Sequence, residues 1–112
     1  MDIDRDELTR RRDELAVLDV RTAAEYTGEA GYPCDPRQGH IAGARNVELS
    51  DLLERTPEQV RELVGLPEGA EVVAYCHSGS RSALAAHALR AAGYEARNYP
   101  GSWHEWSRHA DT

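Results

Sequence analysis

Lysine is absent: all 13 basic side chains of this 112-residue chain are arginine, and 20 acidic side chains outnumber them, for a formal charge of −7. A polyanion binder draws its affinity from clustered positive charge, so no nucleic-acid partner is expected. Long apolar runs are missing as well. No stretch approaches the roughly 18 residues of a membrane span, and Met1 to Glu7 offers neither a basic opening nor an apolar export segment, so a cytoplasmic chain with no membrane partner is expected. Cysteine is scarce. Cys34 and Cys76 are too few for the bridged framework of a small secreted domain and form no Cys-x-x-Cys pair. Neither they nor His40, His77, His87, His104 and His109 stand at the spacing of grouped metal ligands, so no metal is expected. Internal repeats and low-complexity linkers are also lacking. Two reduced thiols remain, and either can be chemically active.

What is present suffices for a core. Hydrophobic residues make up 40% of the chain, nine glycines accompany them, and the length suits one domain over residues 1–112. Ala16 to Val20 and Glu71 to Tyr75 read as buried strands, with shorter ones near Ala44 to Val47 and over Tyr94 to Tyr99. Asp4 with Glu7, Thr22 with Glu25, Thr56 with Gln59, and Ser102 with Glu105 fit the spacing at which a cap and the third helical residue satisfy each other's backbone donors, so four helix starts are predicted. The third helix spans Pro57 to Val64, opened by proline and stopped at Gly65. A longer helix from Arg81 to Ala92 carries Leu84, Ala85, Ala88, Leu89 and Ala92 as its apolar stripe and ends at Gly93. Strands alternating with helices imply a central, mainly parallel sheet flanked by helices on both faces. Between Gly28 and Gly39 an irregular stretch with Pro33 and Pro36 is expected to pack over one end of that sheet.

In open parallel sheets ligands bind beyond the carboxyl ends of the strands, and Cys76 follows the strand Glu71 to Tyr75 directly. The segment Cys76-His77-Ser78-Gly79-Ser80-Arg81 is small and flexible enough for its amides to curl inward as an anion-binding nest. The following helix points its positive end at the loop, and Arg81 brings a full charge near the sulfur. This setting favours a thiolate nucleophile over an inert core thiol. Asp19 is expected to cap backbone amides or pair with a cation. Arg21 either braces the loop in an ion pair or touches substrate. His40 reads as a packed, hydrogen-bonded residue, His87, His104 and His109 as solvated surface, and Trp103 as either a pocket wall or core. Cys34 is a bystander or a partner that resolves oxidised Cys76.

Leu18-Asp19-Val20-Arg21, Glu25-Tyr26, Gly39-His40-Ile41-Ala42-Gly43-Ala44, the Cys76 to Arg81 loop and Gly101 to Trp106 together resemble, in order and spacing, a rhodanese domain, the fold of thiosulfate and mercaptopyruvate sulfurtransferases. The resemblance runs from about Ala16 to Trp106. It implies a three-layer α/β domain and an enzyme in which Cys76 takes a sulfane sulfur from a donor such as thiosulfate, holds it as a persulfide and passes it to cyanide, a thiol or a protein acceptor, with no cofactor. It implies further that His77, Ser78, Gly79, Ser80, Arg81 and Arg21 form the substrate cradle, with Asp19 in support. A non-catalytic persulfide carrier or redox-sensing module is the alternative. A small-molecule phosphatase or arsenate reductase is a third, disfavoured because related enzymes of that kind use a Cys-x5-Arg loop, one residue longer than this one. Two positions depart from the pattern. The two-domain relatives carry a donor-holding arginine where Glu25 stands, so the carboxylate reads as a helix cap and weakens the case for mercaptopyruvate. His77 replaces an arginine or lysine of many thiosulfate enzymes.

Overall fold

The computed structural model describes residues 1–109 and runs, in chain order, α1 (Arg5–Arg11), β1 (Ala16–Asp19), α2 (Ala23–Thr27), β2 (Arg45–Asn46), α3 (Leu49–Leu53), α4 (Pro57–Val64), β3 (Glu71–Tyr75), α5 (Ser80–Ala91), β4 (Glu95–Asn98) and α6 (Ser102–Trp106). The four strands form one parallel sheet in the order β2-β1-β3-β4. The chain leaves β1 toward one edge and β3 toward the other, so the carboxyl ends of these two central strands flank the switch point where such sheets bind ligands. β3 has the bounds of its apolar run, whereas β1 stops one residue early and β2 and β4 are one residue shorter at each end. Val20 and Tyr99 nevertheless continue the ladder, donating to the carbonyls of Tyr75 and Ala74 at 3.0 Å each.

Strand alternation sorts the core into two faces. Leu18, Val20, Val72, Ala74 and Cys76 turn toward α3, α4 and α5, meeting Leu52, Val60, Val64, Ala85, Ala86 and Leu89. Val17, Val73 and Tyr75 turn the other way, toward Leu8 of α1, Ile41, and Trp103 and Trp106 of α6. Leu8, Leu18 and Leu89 have no exposed surface, and burying such a side chain contributes about 1.5–3 kcal/mol each. Cys76 therefore shares a face with α5, while the side chains of odd-numbered β3 residues point away from it.

The predicted capping boxes of α2 and α4 are present at Thr22/Glu25 and Thr56/Gln59, and Gly65 closes α4 at φ 75°. Asp4 caps α1 by accepting from Glu7 N. The expected fourth cap does not form. Ser102 is itself the first residue of α6, at φ 53°, and its hydroxyl is committed to the loop around Cys76 instead of to the helix. The apolar stripe of α5 keeps Ala85, Leu89 and Ala92 of the predicted one and is shifted at its start: Ser82 and Ala86 face the sheet, and Leu84 is 55% exposed. Ser82 sets this phase, because turning its hydroxyl toward the sulfur brings positions three, four and seven residues later onto the same side.

The segment 28–39 has no helix or strand and packs across the sheet end through α6 and the reactive loop. Trp103 Nε1 donates to Arg37 O at 3.1 Å, the Arg37 guanidinium lies over the Trp103 ring, and Arg37 also donates to the carbonyls of Trp106 and Ser107. No helix among the described residues is long and apolar enough to cross a membrane.

Candidate active site

Cys76 stands just past the carboxyl end of β3, and donors from the loop and from α5 converge on its sulfur. Gly79 N lies 3.1 Å from Sγ, Ser82 Oγ 3.3 Å and Ser82 N 3.4 Å. Ser82 is the third residue of α5, so its amide is one of the donors that a helix start leaves without an internal partner. Burial by itself pushes the Cys76 thiol up. The Ser82 hydroxyl, with the amides of Ser82, Gly79 and Ser78, more than offsets this and holds the thiol below its ordinary value. These dipoles favour the thiolate form of a sulfur that has almost no contact with solvent.

The loop is fastened from both sides. Asn98 of β4 donates to Gly79 O at 3.2 Å. From α6, Trp103 N and His104 N donate to the carbonyls of Cys76 and His77 at 2.9 Å each. Ser102 Oγ accepts from Cys76 N at 3.1 Å and donates to Tyr99 O at 2.8 Å, which fixes the backbone from which Sγ projects. Gly79 makes the inward turn possible. It sits at φ 97°, and a Cβ there would stand 2.7 Å from Pro100 O. Gly79→Ala is accordingly expected to lower stability by about 2–4 kcal/mol through left-handed strain and overpacking, and to slow alkylation of Cys76 as the amide swings away. Urea denaturation and iodoacetamide kinetics read both effects, and parental values in the two assays would count against this placement.

Arg81 was expected beside the sulfur, and its principal partner is Glu25. NH1 and NH2 reach Oε1 and Oε2 at 2.8 and 3.1 Å in a bidentate pair. Arg81 holds the Glu25 carboxyl down at about 2, and Glu25 in turn raises Arg81, with a smaller contribution from the Cys76 charge. Glu25 thus does more than cap α2: it shares the charge that was expected to act on Sγ alone. A crevice of about 200 Å³ opens at this edge, lined by Val20, Thr22, Leu49 and Arg81 among others.

Arg21, read from the sequence as either a bracing ion pair or a substrate contact, forms the ion pair, with Asp19. It is 1% exposed. Its Nε and NH2 donate to the Asp19 carboxylate at 2.7 to 3.1 Å, and NH2 also reaches Gly39 O at 2.6 Å. Burial works against the Arg21 charge, and Asp19 more than offsets it. Alternation places Asp19, Arg21 and Tyr75 on the α6 face of the sheet, opposite Cys76, with the Arg21 guanidinium over the Tyr75 and Trp103 rings. Asp19 also accepts from the Arg21 amide at 3.0 Å and from Tyr75 Oη at 2.8 Å, as its reading as a supporting carboxylate anticipates.

The remaining expected cradle residues divide. Ser78 contributes its amide, while Ser80 opens α5 with an exposed side chain. The His77 ring turns to the α6 side, where Nε2 meets Asp35 Oδ2 at 2.9 Å and Tyr32 stacks on it at 3.8 Å. Sequence reasoning missed Ser82 and Ser102. The trailing Arg81-Ser82 pair carries a signal for the first, since an α5 start places Ser82 N at the loop, whereas Ser102 is found only once β4 brings α6 alongside. Trp103 belongs to the core, and His40 packs on Tyr26 with Nδ1 2.8 Å from Tyr26 O. Both cysteines are free thiols, Cys34 exposed and Cys76 buried. Among the described residues, the donors close enough to hold a metal ion are those of Cys34, Asp35, His77 and His104, a set that spacing along the chain does not reveal.

Comparison with known proteins places these features in context. The profile of the rhodanese-like domain family matches residues 4–109. Thiosulfate sulfurtransferase of Azotobacter vinelandii is 35% identical over 108 residues, covering 88% of this chain and 39% of that protein. A probable 3-mercaptopyruvate sulfurtransferase of Pseudomonas aeruginosa is 40% identical over 103 residues, 82% of this chain and 36% of its own length. The chain thus spans less than half the length of these curated relatives. Among solved structures, a probable thiosulfate sulfurtransferase superposes with a TM-score of 0.87 at 44% identity, over 99% of this chain and 46% of that one. A human single-domain sulfurtransferase does so with 0.72 at 28% identity, covering 98% and 97%.

Proposed function

The chain belongs to the rhodanese-like domain family, and from that premise we propose that it transfers a sulfane sulfur from a small anionic donor to a thiophilic acceptor through a persulfide on Cys76. The observation that carries this reading is the convergence of Gly79 N, Ser82 N and Ser82 Oγ on a single buried sulfur. With thiosulfate, the Cys76 thiolate attacks the outer sulfur, the donor's S–S bond breaks, and sulfite leaves with the electron pair. The charge then rests on the terminal sulfur of Cys76–S–S⁻. Cyanide or a thiolate attacks that sulfur, the second S–S bond breaks, and the Cys76 thiolate returns. Donors that were aimed at Sγ before the first step stabilise negative charge throughout without reorganising, which is how such preorganised dipoles lower barriers.

Two features bear on the donor. Cys76 is only 1% exposed, so the group that reaches it has to be narrow, as a terminal sulfur is. Glu25 already occupies both terminal nitrogens of Arg81, so a carboxylate-bearing donor such as mercaptopyruvate competes with an internal carboxylate for the nearest cation. Thiosulfate is the donor this site favours, and a free thiol, cyanide or a protein thiol is the acceptor.

Intact-mass analysis after thiosulfate treatment tests the proposal. The expected product carries one added sulfur atom, lost on addition of cyanide and located on the peptide that contains Cys76. Addition to Cys34 alone, or no addition, would overturn it. Loading followed by a stall, with no repeated turnover in the presence of both small substrates, would reassign the chain as a carrier.

A further inference from the structure

We propose that Cys34 Sγ, the Asp35 carboxylate, His77 Nε2 and His104 Nδ1 form a binding site for one divalent transition-metal ion, with zinc the best match. The four donor atoms come from three separate segments and lie within 4.8 Å of one another. His77 Nε2 is 2.9 Å from Asp35 Oδ2, His104 Nδ1 is 3.4 Å from Oδ1, and Cys34 Sγ is 3.9 Å from Oδ1. A tetrahedral zinc, with bonds of about 2.0–2.3 Å, sets its ligand atoms about 3.3–3.8 Å apart, so donor atoms that already lie within 4.8 Å of one another need only small side-chain adjustments to meet it.

The surroundings hold the donors in place. His104 N donates to His77 O at 2.9 Å, which ties the two imidazole-bearing residues together through the backbone. Tyr32 lies flat on the His77 ring at 3.8 Å, and the His77 and His104 rings meet edge to face at 5.4 Å. Arg108 clasps the group from outside, donating from NH1 to Asp35 Oδ1 at 3.0 Å and to His104 O, and from NH2 to Cys34 O at 2.9 Å. Arg108 holds Asp35 Oδ1, which leaves Oδ2, already 2.9 Å from His77 Nε2, as the oxygen to ligate, the outer-sphere arrangement that orients a ligating carboxylate.

Charge and donor type narrow the ion. The Asp35 side chain has no exposed surface, and a buried carboxylate requires positive partners. A thiolate, a carboxylate and two neutral imidazoles balance a doubly charged ion. Sulfur and nitrogen donors select zinc over magnesium or calcium, which prefer oxygen. Cys34 is exposed and the His104 side chain half-exposed, which leaves a route for the ion. The site adjoins the nucleophile through His77 yet does not use Cys76, and it gives Cys34 a role other than disulfide partner.

Reduced, chelator-stripped protein titrated with zinc against a metallochromic indicator, and with cobalt(II) as a spectroscopic reporter, tests the assignment. One ion per chain is expected for the parent and for Cys76→Ala, with tetrahedral cobalt bands and a thiolate charge-transfer band in both. Cys34→Ser and His104→Ala should each weaken binding by at least about 100-fold, and the charge-transfer band should vanish with Cys34. Far-ultraviolet circular dichroism without metal checks that both variants are folded. Cys34→His provides a second route, expected to keep zinc and lose the charge-transfer band. Parental affinity in Cys34→Ser and His104→Ala would overturn the site, as would loss of binding in Cys76→Ala or the absence of a stoichiometric ion in the parent.

Discussion

Replacing Cys76 by alanine is expected to abolish thiosulfate-dependent formation of thiocyanate, a loss of at least about 10³-fold, because no other group in the loop can form the S–S bond. The fold should survive, since the change removes one sulfur from a site pinned by Asn98, Ser102, Trp103 and His104 through backbone atoms that alanine retains. A companion measurement examines the electrostatics. In the parent, the rate of iodoacetamide alkylation at Cys76 should rise with pH to a plateau with its midpoint below that of an ordinary cysteine, because the thiolate is the reactive form and its donors lower the pH at which it appears. Cys34→Ser should leave that profile in place. Turnover retained in Cys76→Ala, or an alkylation midpoint at or above the ordinary value, would remove the basis of the mechanism.

Asp19→Ala is expected to produce the largest loss of stability in the chain, about 3–5 kcal/mol, and to do so without touching the nucleophile. The substitution strands a guanidinium that is 1% exposed and leaves Tyr75 Oη and the Arg21 amide without their acceptor. The Tyr75 hydroxyl still accepts from Ile41 N at 3.0 Å, so it is anchored but no longer has an acceptor for its own proton. In a domain of this size about 3 kcal/mol corresponds to a fall in melting temperature of at least about 12 °C, readable by calorimetry or circular dichroism. A shift of a degree or two would mean that Arg21 finds water or another carboxylate, and that the brace is expendable. Asp19→Asn, which keeps an acceptor and the shape but removes the charge, should fall between the parent and alanine.

Much of the architecture was legible because local signals agreed with one another. Thr56, Pro57, Gln59 and Gly65 each mark the same helix, and α4 spans the predicted residues. The apolar run Glu71 to Tyr75 sits between turn signals, and β3 has those bounds. Cys76 stands out in the sequence as the candidate reactive position from its place at a strand-to-helix junction in a small-residue loop, and its sulfur is where Gly79 N, Ser82 N and Ser82 Oγ meet. The misreadings share a cause: a side chain diverted from its local task to a distant partner. Ser102 has a capping sequence, yet its hydroxyl serves Cys76 and Tyr99. Ser82 has the sequence of an ordinary polar residue on α5, yet its hydroxyl bonds to the sulfur and it faces the sheet where Leu84 was expected to. Glu25 fulfils its local cap and additionally reaches Arg81, 56 positions away. His77, Asp35 and His104 come together only through the packing of the 28–39 segment against α6, and no periodicity in the sequence records that.

The close approach of Gly79 to Pro100 also limits how this scaffold can be re-engineered. Lengthening the reactive ring by one residue, to accommodate a larger tetrahedral guest, sends the added arc into the Pro100-Gly101 bend. That bend cannot retreat freely, because the next residue, Ser102, secures the amide of the nucleophile. Conversion to another reaction class would thus demand coordinated rebuilding of two segments more than 20 positions apart in the chain, and a lone insertion would misplace the very atom it was meant to serve.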